Sequence, residues 1–264
     1  RIWRAPTPGG GAAGGEAGAE SRRAPLVGRE QELAELLDTW AGVRDRREAR
    51  VAMVLGDPGV GKTRLLEELV SRARLDGAAV AAVTAVSADR GEPWSGALGL
   101  ARGGLLDGAG LAATQPAALA AFAAQLPAWA DRFGGITRGV TPQSPGRALS
   151  EVLAALCEEQ PVVLAADDAH WLDEDSVAAL AGVLRDLSGQ PLLVVLGAPE
   201  RGEAGALDQL RAHMGRDLHG ASVRVGPLAQ PGLRALARWA LPKYTNEELE
   251  RVTRRLAVDS AGLP

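Results

Sequence analysis

The sequence predicts an α/β fold, a parallel sheet with helices on both faces, and three observations carry that expectation. Short apolar runs at 51–55, 79–86, 162–166 and 192–196 read as strands buried on both sides. Leu65, Leu66, Leu69 and Val70 recur at helical spacing after the first run, and Val177, Leu180, Leu184 and Leu187 after the third. Strands that alternate with amphipathic helices must run parallel, because each helix is the crossover to the next strand.

The elements follow in order. Residues 1–24 hold Pro6, Pro8 and the run Gly9-Gly10-Gly11 with almost nothing large to bury, a linker composition. From Pro25 regular structure begins: Leu33, Leu36, Leu37 and Trp40 mark a helix ahead of the first strand. The stretch from 87 to 145 is rich in small residues, and helices are expected near 95–106 and 115–129. Leu149, Val152, Leu153 and Leu156 define the helix before the third strand, and Asp173 or Asp175 caps the one after it. Ser222 to Val225 reads as an edge strand. Beyond Pro227 the pattern is helical, with Thr245-Asn246-Glu247-Glu248 at capping-box spacing. The expected organisation is therefore a linker at 1–24, a sheet domain at 25–226 and the start of a helical subdomain at 227–264.

Composition narrows the function. The 264 residues carry 29 Lys+Arg against 33 Asp+Glu, a net charge of -4, so a basic nucleic-acid-binding face is not advertised. The single cysteine, Cys157, excludes an internal disulfide framework and fits a reducing, cytoplasmic compartment. Leu111 to Ala130 is broken by polar residues and prolines and makes a poor membrane span. No signal peptide stands out, and the start at Arg1 reads as that of a fragment of a longer protein. Only two cations are lysine, Lys62 and Lys243, against a background of arginine.

Lys62 sits in the first chemical motif. Gly56-Asp57-Pro58-Gly59-Val60-Gly61-Lys62-Thr63 fits G-x-x-x-x-G-K-[ST], after a buried strand and opening a helix that continues through Arg64. Glycines let successive N–H groups turn inward around a phosphate, and the helix N-terminus adds partial positive charge. An ammonium on a thin stem fits between β and γ phosphates where a planar guanidinium is too wide. Thr63 supplies a hydroxyl for Mg²⁺. The bland alternative is a chance match on a glycine-rich chain, which position and spacing make the weaker reading. The second motif is the apolar run 162–166 ending in Asp167 and Asp168. Beside a phosphate loop, Asp167 is the metal-side carboxylate, and Asp168 orients or deprotonates the attacking water.

With Leu26-Val27-Gly28-Arg29-Glu30 ahead of the loop and Asp167-Asp168-Ala169-His170-Trp171-Leu172-Asp173 after it, the chain resembles the STAND class of P-loop ATPases. The resemblance is closest to the AAA-type module of large bacterial regulators, such as LuxR-type regulators, Streptomyces antibiotic regulatory proteins and some multidomain nucleotide cyclases. It implies a P-loop NTPase fold with a five-stranded sheet in the order 5-1-4-3-2, followed by part of a helical lid. It also implies base-side contacts from Val27, Gly28 and Arg29, with an ordinary helix-start cation as the lesser alternative for Arg29. The closing Gly262-Leu263-Pro264 resembles a G-x-P turn whose proline touches the nucleotide. One motif departs from the pattern: relatives place a γ-phosphate-sensing arginine directly after the fourth strand, and here Arg201 comes later. Arg201 is thus either a sensor brought in by a local turn or a solvated loop cation. His170 is read as structural rather than as a proton shuttle, Trp171 as packing, and Cys157 as core.

The function implied is an ATP/ADP switch with slow hydrolysis, Mg²⁺-dependent, coupled to flanking domains of the same polypeptide and to self-association in the ATP state. DNA would be read only by a domain outside these residues, and no membrane contact is expected. A motor or loader ATPase acting on nucleic acid or protein is the alternative, and calls for a basic pore loop that the sequence lacks. A small-molecule kinase would need an acceptor site that is not evident.

Overall fold

The computed structural model describes residues 24–201 and 205–264, so the expected linker lies outside the described residues except for Ala24. The described chain divides into two compact units, Arg29–Gly226 and residues 24–28 with Pro227–Pro264. Residues 25–28, expected with the sheet domain, group with the helices.

The larger unit runs α1 (Glu30–Arg46), β1 (Arg50–Leu55), α2 (Lys62–Leu75), β2 (Ala79–Thr84), α3 (Ser95–Arg102), α4 (Pro116–Ala123), α5 (Pro127–Thr137), α6 (Pro145–Glu159), β3 (Val162–Asp167), α7 (Glu174–Asp186), β4 (Leu192–Ala198), α8 (Ala206–His213) and β5 (Gly220–Arg224). All strand pairs are parallel, in the order β2-β3-β4-β1-β5. This is the expected 5-1-4-3-2 sheet read from its other edge. The edge strand expected at 222–225 begins two residues earlier, at Gly220, and pairs with β1.

Period-two alternation assigns the two faces. Val51, Met53 and Leu55 of β1, Val162, Leu164 and Ala166 of β3, and Leu192, Val194 and Leu196 of β4 join one core with α3 to α7. The intervening residues are also buried, and α1 and α2 bring Leu36, Trp40, Leu65 and Leu69 inward. Burial on both sides explains why the strands read as continuous apolar runs.

The small-residue stretch differs from expectation in two places, each for a local reason. The helix expected at 95–106 ends at Arg102, because Gly103 and Gly104 follow and Gly104 adopts φ +142° against the Val80 carbonyl, where a Cβ would come within 2.1 Å. The helix expected at 115–129 is two helices, since Pro127 cannot continue α4 and instead starts α5, leaving Leu126 extended. Their junction is filled by Phe122, Trp129 and Phe133, with ring centroids 4.8 and 5.8 Å apart, and the Trp129 indole N–H donates to the Ala101 carbonyl at 3.2 Å. Cys157 is buried, as expected, and burial pushes its thiol up to about 12.

The smaller unit holds α9 (Gln230–Ala240) and α10 (Asn246–Asp259). The capping box read at Thr245 and Glu248 is formed: the Thr245 N–H donates to Glu248 at 2.7 Å and the Glu248 N–H to the Thr245 hydroxyl at 3.3 Å. Gly28, at φ +64°, lies against Gly232, with 3.3 Å between the position of an added Cβ and the Gly232 Cα. No helix among the described residues is long and apolar enough to cross a membrane.

Asp173 fixes the helices beside the sheet's carboxyl edge. It is buried, and its carboxylate accepts from Ser176 N–H at the start of α7 (2.9 Å) and from Trp94 N–H (2.9 Å), Gly96 N–H (3.0 Å) and the Ser95 hydroxyl (3.1 Å) at the start of α3. One side chain therefore caps two helices. Burial pushes its pKa upward, but the hydrogen bonds from Ser176, Gly96 and Trp94 outweigh this and hold the carboxyl below the usual range. A depressed folded-state pKa adds stability above the unfolded pKa and loses it as pH falls through the folded one. Asp173→Ala should thus cost on the order of 3 kcal/mol at neutral pH. In urea titrations its deficit against the native protein should shrink below about pH 4; a deficit equal at both pH values would contradict the assignment.

Candidate functional site

In-register parallel pairing brings Leu55, Asp167, Ala198 and Arg224 to one edge of the sheet. Ligands of open α/β sheets bind at that carboxyl edge. The loop leaving β1 there is built for close approach. Gly59 and Gly61 take φ +85° and +101°, turning the backbone into the N-terminus of α2. An added Cβ at Gly56 would stand 2.3 Å from the Val225 carbonyl, so only glycine lets the loop leave between β1 and β5. Asp57, Pro58 and Gly59 form the exposed crest, while Val60 is buried beneath it.

Lys62 is buried, and its ammonium donates to the Gly56 and Asp57 carbonyls at 2.9 and 3.1 Å. It meets no carboxylate among the described residues. Thr63 and Asp167 meet across 104 residues: the hydroxyl donates to Asp167 Oδ2 at 2.5 Å. Asp167 Oδ1 accepts from the Asp168 N–H at 3.1 Å, and Asp168 itself is left-handed, at φ +50°. A non-glycine residue held there is strained, a cost that recurs where a side chain must be aimed.

These residues fit a nucleotide with Mg²⁺. The glycine cradle and buried ammonium match an oligophosphate. The Thr63 hydroxyl and the Asp167 carboxylate are the hard oxygen donors Mg²⁺ takes, and two protein ligands leave room for phosphate oxygens and water. Among the described residues no three His, Cys, Asp or Glu side chains converge as a metal cage.

The remaining candidates fall in distinct places. Arg64 runs along α2, paired with Glu68 at 3.3 Å. Arg29 is buried; its guanidinium donates to the Val60 carbonyl at 3.1 Å and to the Gly226 carbonyl, and pairs with Glu32 at 3.0 Å. It therefore braces the phosphate loop through the Val60 carbonyl, a contact that the sequence did not reveal. Val27, Gly28 and Pro264 belong to the helical unit. Arg201 is exposed and lines a cavity of about 670 Å³ with Arg90, His170, Trp171 and Arg211, not with Lys62 or Asp167.

Burial holds the His170 pKa below its ordinary value, with Asp168 opposing. Its ring lies 4.7 Å from Trp171, and Arg90 holds the turn by donating to the His170 carbonyl at 3.1 Å and stacking 5.1 Å over Trp171.

Sequence reasoning missed Gly197. An added Cβ there would stand 2.8 Å from Asp167 Oδ1 and 2.9 Å from Leu66, so a glycine in β4 makes room for the carboxylate of β3. A glycine inside a buried apolar run was the available signal. Gly197→Ala should cost about 1–3 kcal/mol through overpacking. It should also weaken the Mg²⁺-dependent part of nucleotide affinity, as read by calorimetry with and without Mg²⁺; unaltered Mg²⁺ dependence would separate Gly197 from the site.

The sequence profile of the AAA ATPase domain matches residues 25–195. A protein of Rhizobium meliloti (strain 1021) is 29% identical over 189 residues, covering 65% of this chain. The chain spans only 18% of that relative's length. Among solved structures, Drosophila ORC bound to DNA superposes with a TM-score of 0.53 at 16% identity, over 90% of this chain and 53% of that one. The ORC1 protein of Aeropyrum pernix in complex with DNA gives 0.51 at 17%, over 89% and 56%. A STAND protein with a tetratricopeptide repeat sensor from Pyrococcus horikoshii gives 0.50 at 18%, over 91% and 29%. Likenesses at these identities are likenesses of fold.

Proposed function

The chain belongs to the AAA ATPase domain family, and on that footing we propose that it is an ATP/ADP switch module with slow hydrolysis, controlling a multidomain bacterial regulator. The observation that carries the reading is the meeting of Lys62, Thr63 and Asp167 at one sheet edge, with Asp168 next in chain. The bacterial relative, of which the chain spans a small part, supports a larger parent protein. A transcriptional parent of the LuxR or Streptomyces antibiotic regulatory type rests on the sequence motifs around Arg29 and Asp167.

In this reading Lys62 exchanges its two carbonyl partners for β and γ phosphate oxygens, and the loop N–H groups close around the phosphates. Mg²⁺, when bound, neutralises charge on those oxygens, and Thr63 and Asp167 would hold it. Asp168 orients a water toward the γ-phosphorus and accepts its proton as ATP and water become ADP and phosphate. Its carboxylate is one methylene shorter than a glutamate, so the water is held at longer reach, which suits slow turnover. Arg29 keeps the loop in place by holding the Val60 carbonyl.

Lys62→Ala should weaken ATP binding on the order of 100-fold. Asp168→Asn should leave affinity nearly intact while lowering single-turnover hydrolysis about 100-fold. Unchanged ATP affinity in the Lys62 variant would remove the site assignment. Particle mass measured with ATP and with ADP should rise only with ATP if self-association is part of the switch.

A further inference from the structure

The helical unit carries a second polar feature that owes nothing to the phosphate loop. Leu233 and Ala237 of α9 and Leu249 of α10 are buried, and beside them Thr253 is buried as well, 6% exposed. A threonine within a helix ordinarily donates back to the carbonyl four residues earlier. Thr253 does not: its hydroxyl is shielded from solvent and has no hydrogen-bond partner. Such a group costs stability unless a ligand completes it.

Thr253 lines an open cleft of about 690 Å³ with Gln230, Arg234, Arg238, Glu250 and Arg254. Arg234 and Arg238 stand one helical turn apart, about 6 Å along α9, and Arg254 lies on α10. Arg234 is 3.7 Å from Glu250 and Arg238 donates to Asn246, while Arg254 has no ion-pair or hydrogen-bond partner among the described residues. Residues 227–264 carry six cations against four carboxylates in a chain whose net charge is -4. Guanidinium groups are the side chains best matched to phosphate oxygens.

We propose that the cleft between α9 and α10 binds the phosphate groups of a small phosphorylated ligand, distinct from the P-loop nucleotide. Arg234, Arg238 and Arg254 are its charged donors, and the Thr253 hydroxyl, which has no partner within the protein, turns toward the ligand to donate when it binds. Convergence on one hollow suits a compact anion. A long strand would also meet Glu247 and Glu248 at the start of α10, outside the cleft lining.

Calorimetric titration of inorganic pyrophosphate into the full chain, already saturated with ADP, tests this. One further equivalent should bind. The Arg238→Gln/Arg254→Gln double variant should weaken it at least about tenfold, and Thr253→Val should weaken it without lowering Tm. Glu250→Gln, which frees Arg234, should strengthen it, a gain that misfolding cannot mimic. ADP affinity should stay constant throughout. Absence of a further equivalent, indifference to these substitutions, or tighter binding of a short DNA duplex through the same arginines would overturn the proposal.

Discussion

A parallel sheet buried on both faces leaves its polar chemistry only one exit. Every residue of β3 and β4 is buried, so no side chain within them can meet a soluble ligand except at a strand end. Crossover helices fix all five strands in one direction and the pairing registers align their ends. Asp167 and the loop after β1 become neighbours for that reason alone. The Thr63–Asp167 hydrogen bond spans a separation that no local propensity could bridge.

That constraint also explains the demand for glycine around the site. Gly56 threads between strands where the Val225 carbonyl occupies the space of a side chain, and Gly197 vacates the space beside Asp167. Room at the sheet's carboxyl edge is made by the absence of side chains at these two positions. Arg29 then supplies the stiffness that a glycine-rich loop lacks, holding it by the Val60 carbonyl from beneath.

What was legible in the sequence was local. The phosphate loop is contiguous, the strand ending in Asp167 is a simple apolar run, and the Thr245 capping box lies within four residues. The break between α4 and α5 was written in Pro127 but hidden by alanines, whose small side chains give little periodic contrast. The brace at Arg29 depends on Gly226, nearly two hundred residues away, and the room beside Asp167 depends on a glycine in another strand. Neither leaves a pattern in spacing. Arg201, which its position after β4 leaves either a sensor brought in by a local turn or a solvated loop cation, is exposed and lines a cavity with Arg90, His170 and Trp171.

The Asp173 carboxylate has a consequence for how the larger unit comes apart. Because α3 and α7 draw their first-turn acceptors from the same side chain, neither can fray at its start without orphaning donors on the other. Two segments separated by almost eighty residues are thereby joined into one cooperative opening unit. The turn carrying Asp168, five residues before that carboxylate, is anchored to the same unit. Local breathing at Asp168 is therefore limited by the stability of two helices, and not by the softness of a loop.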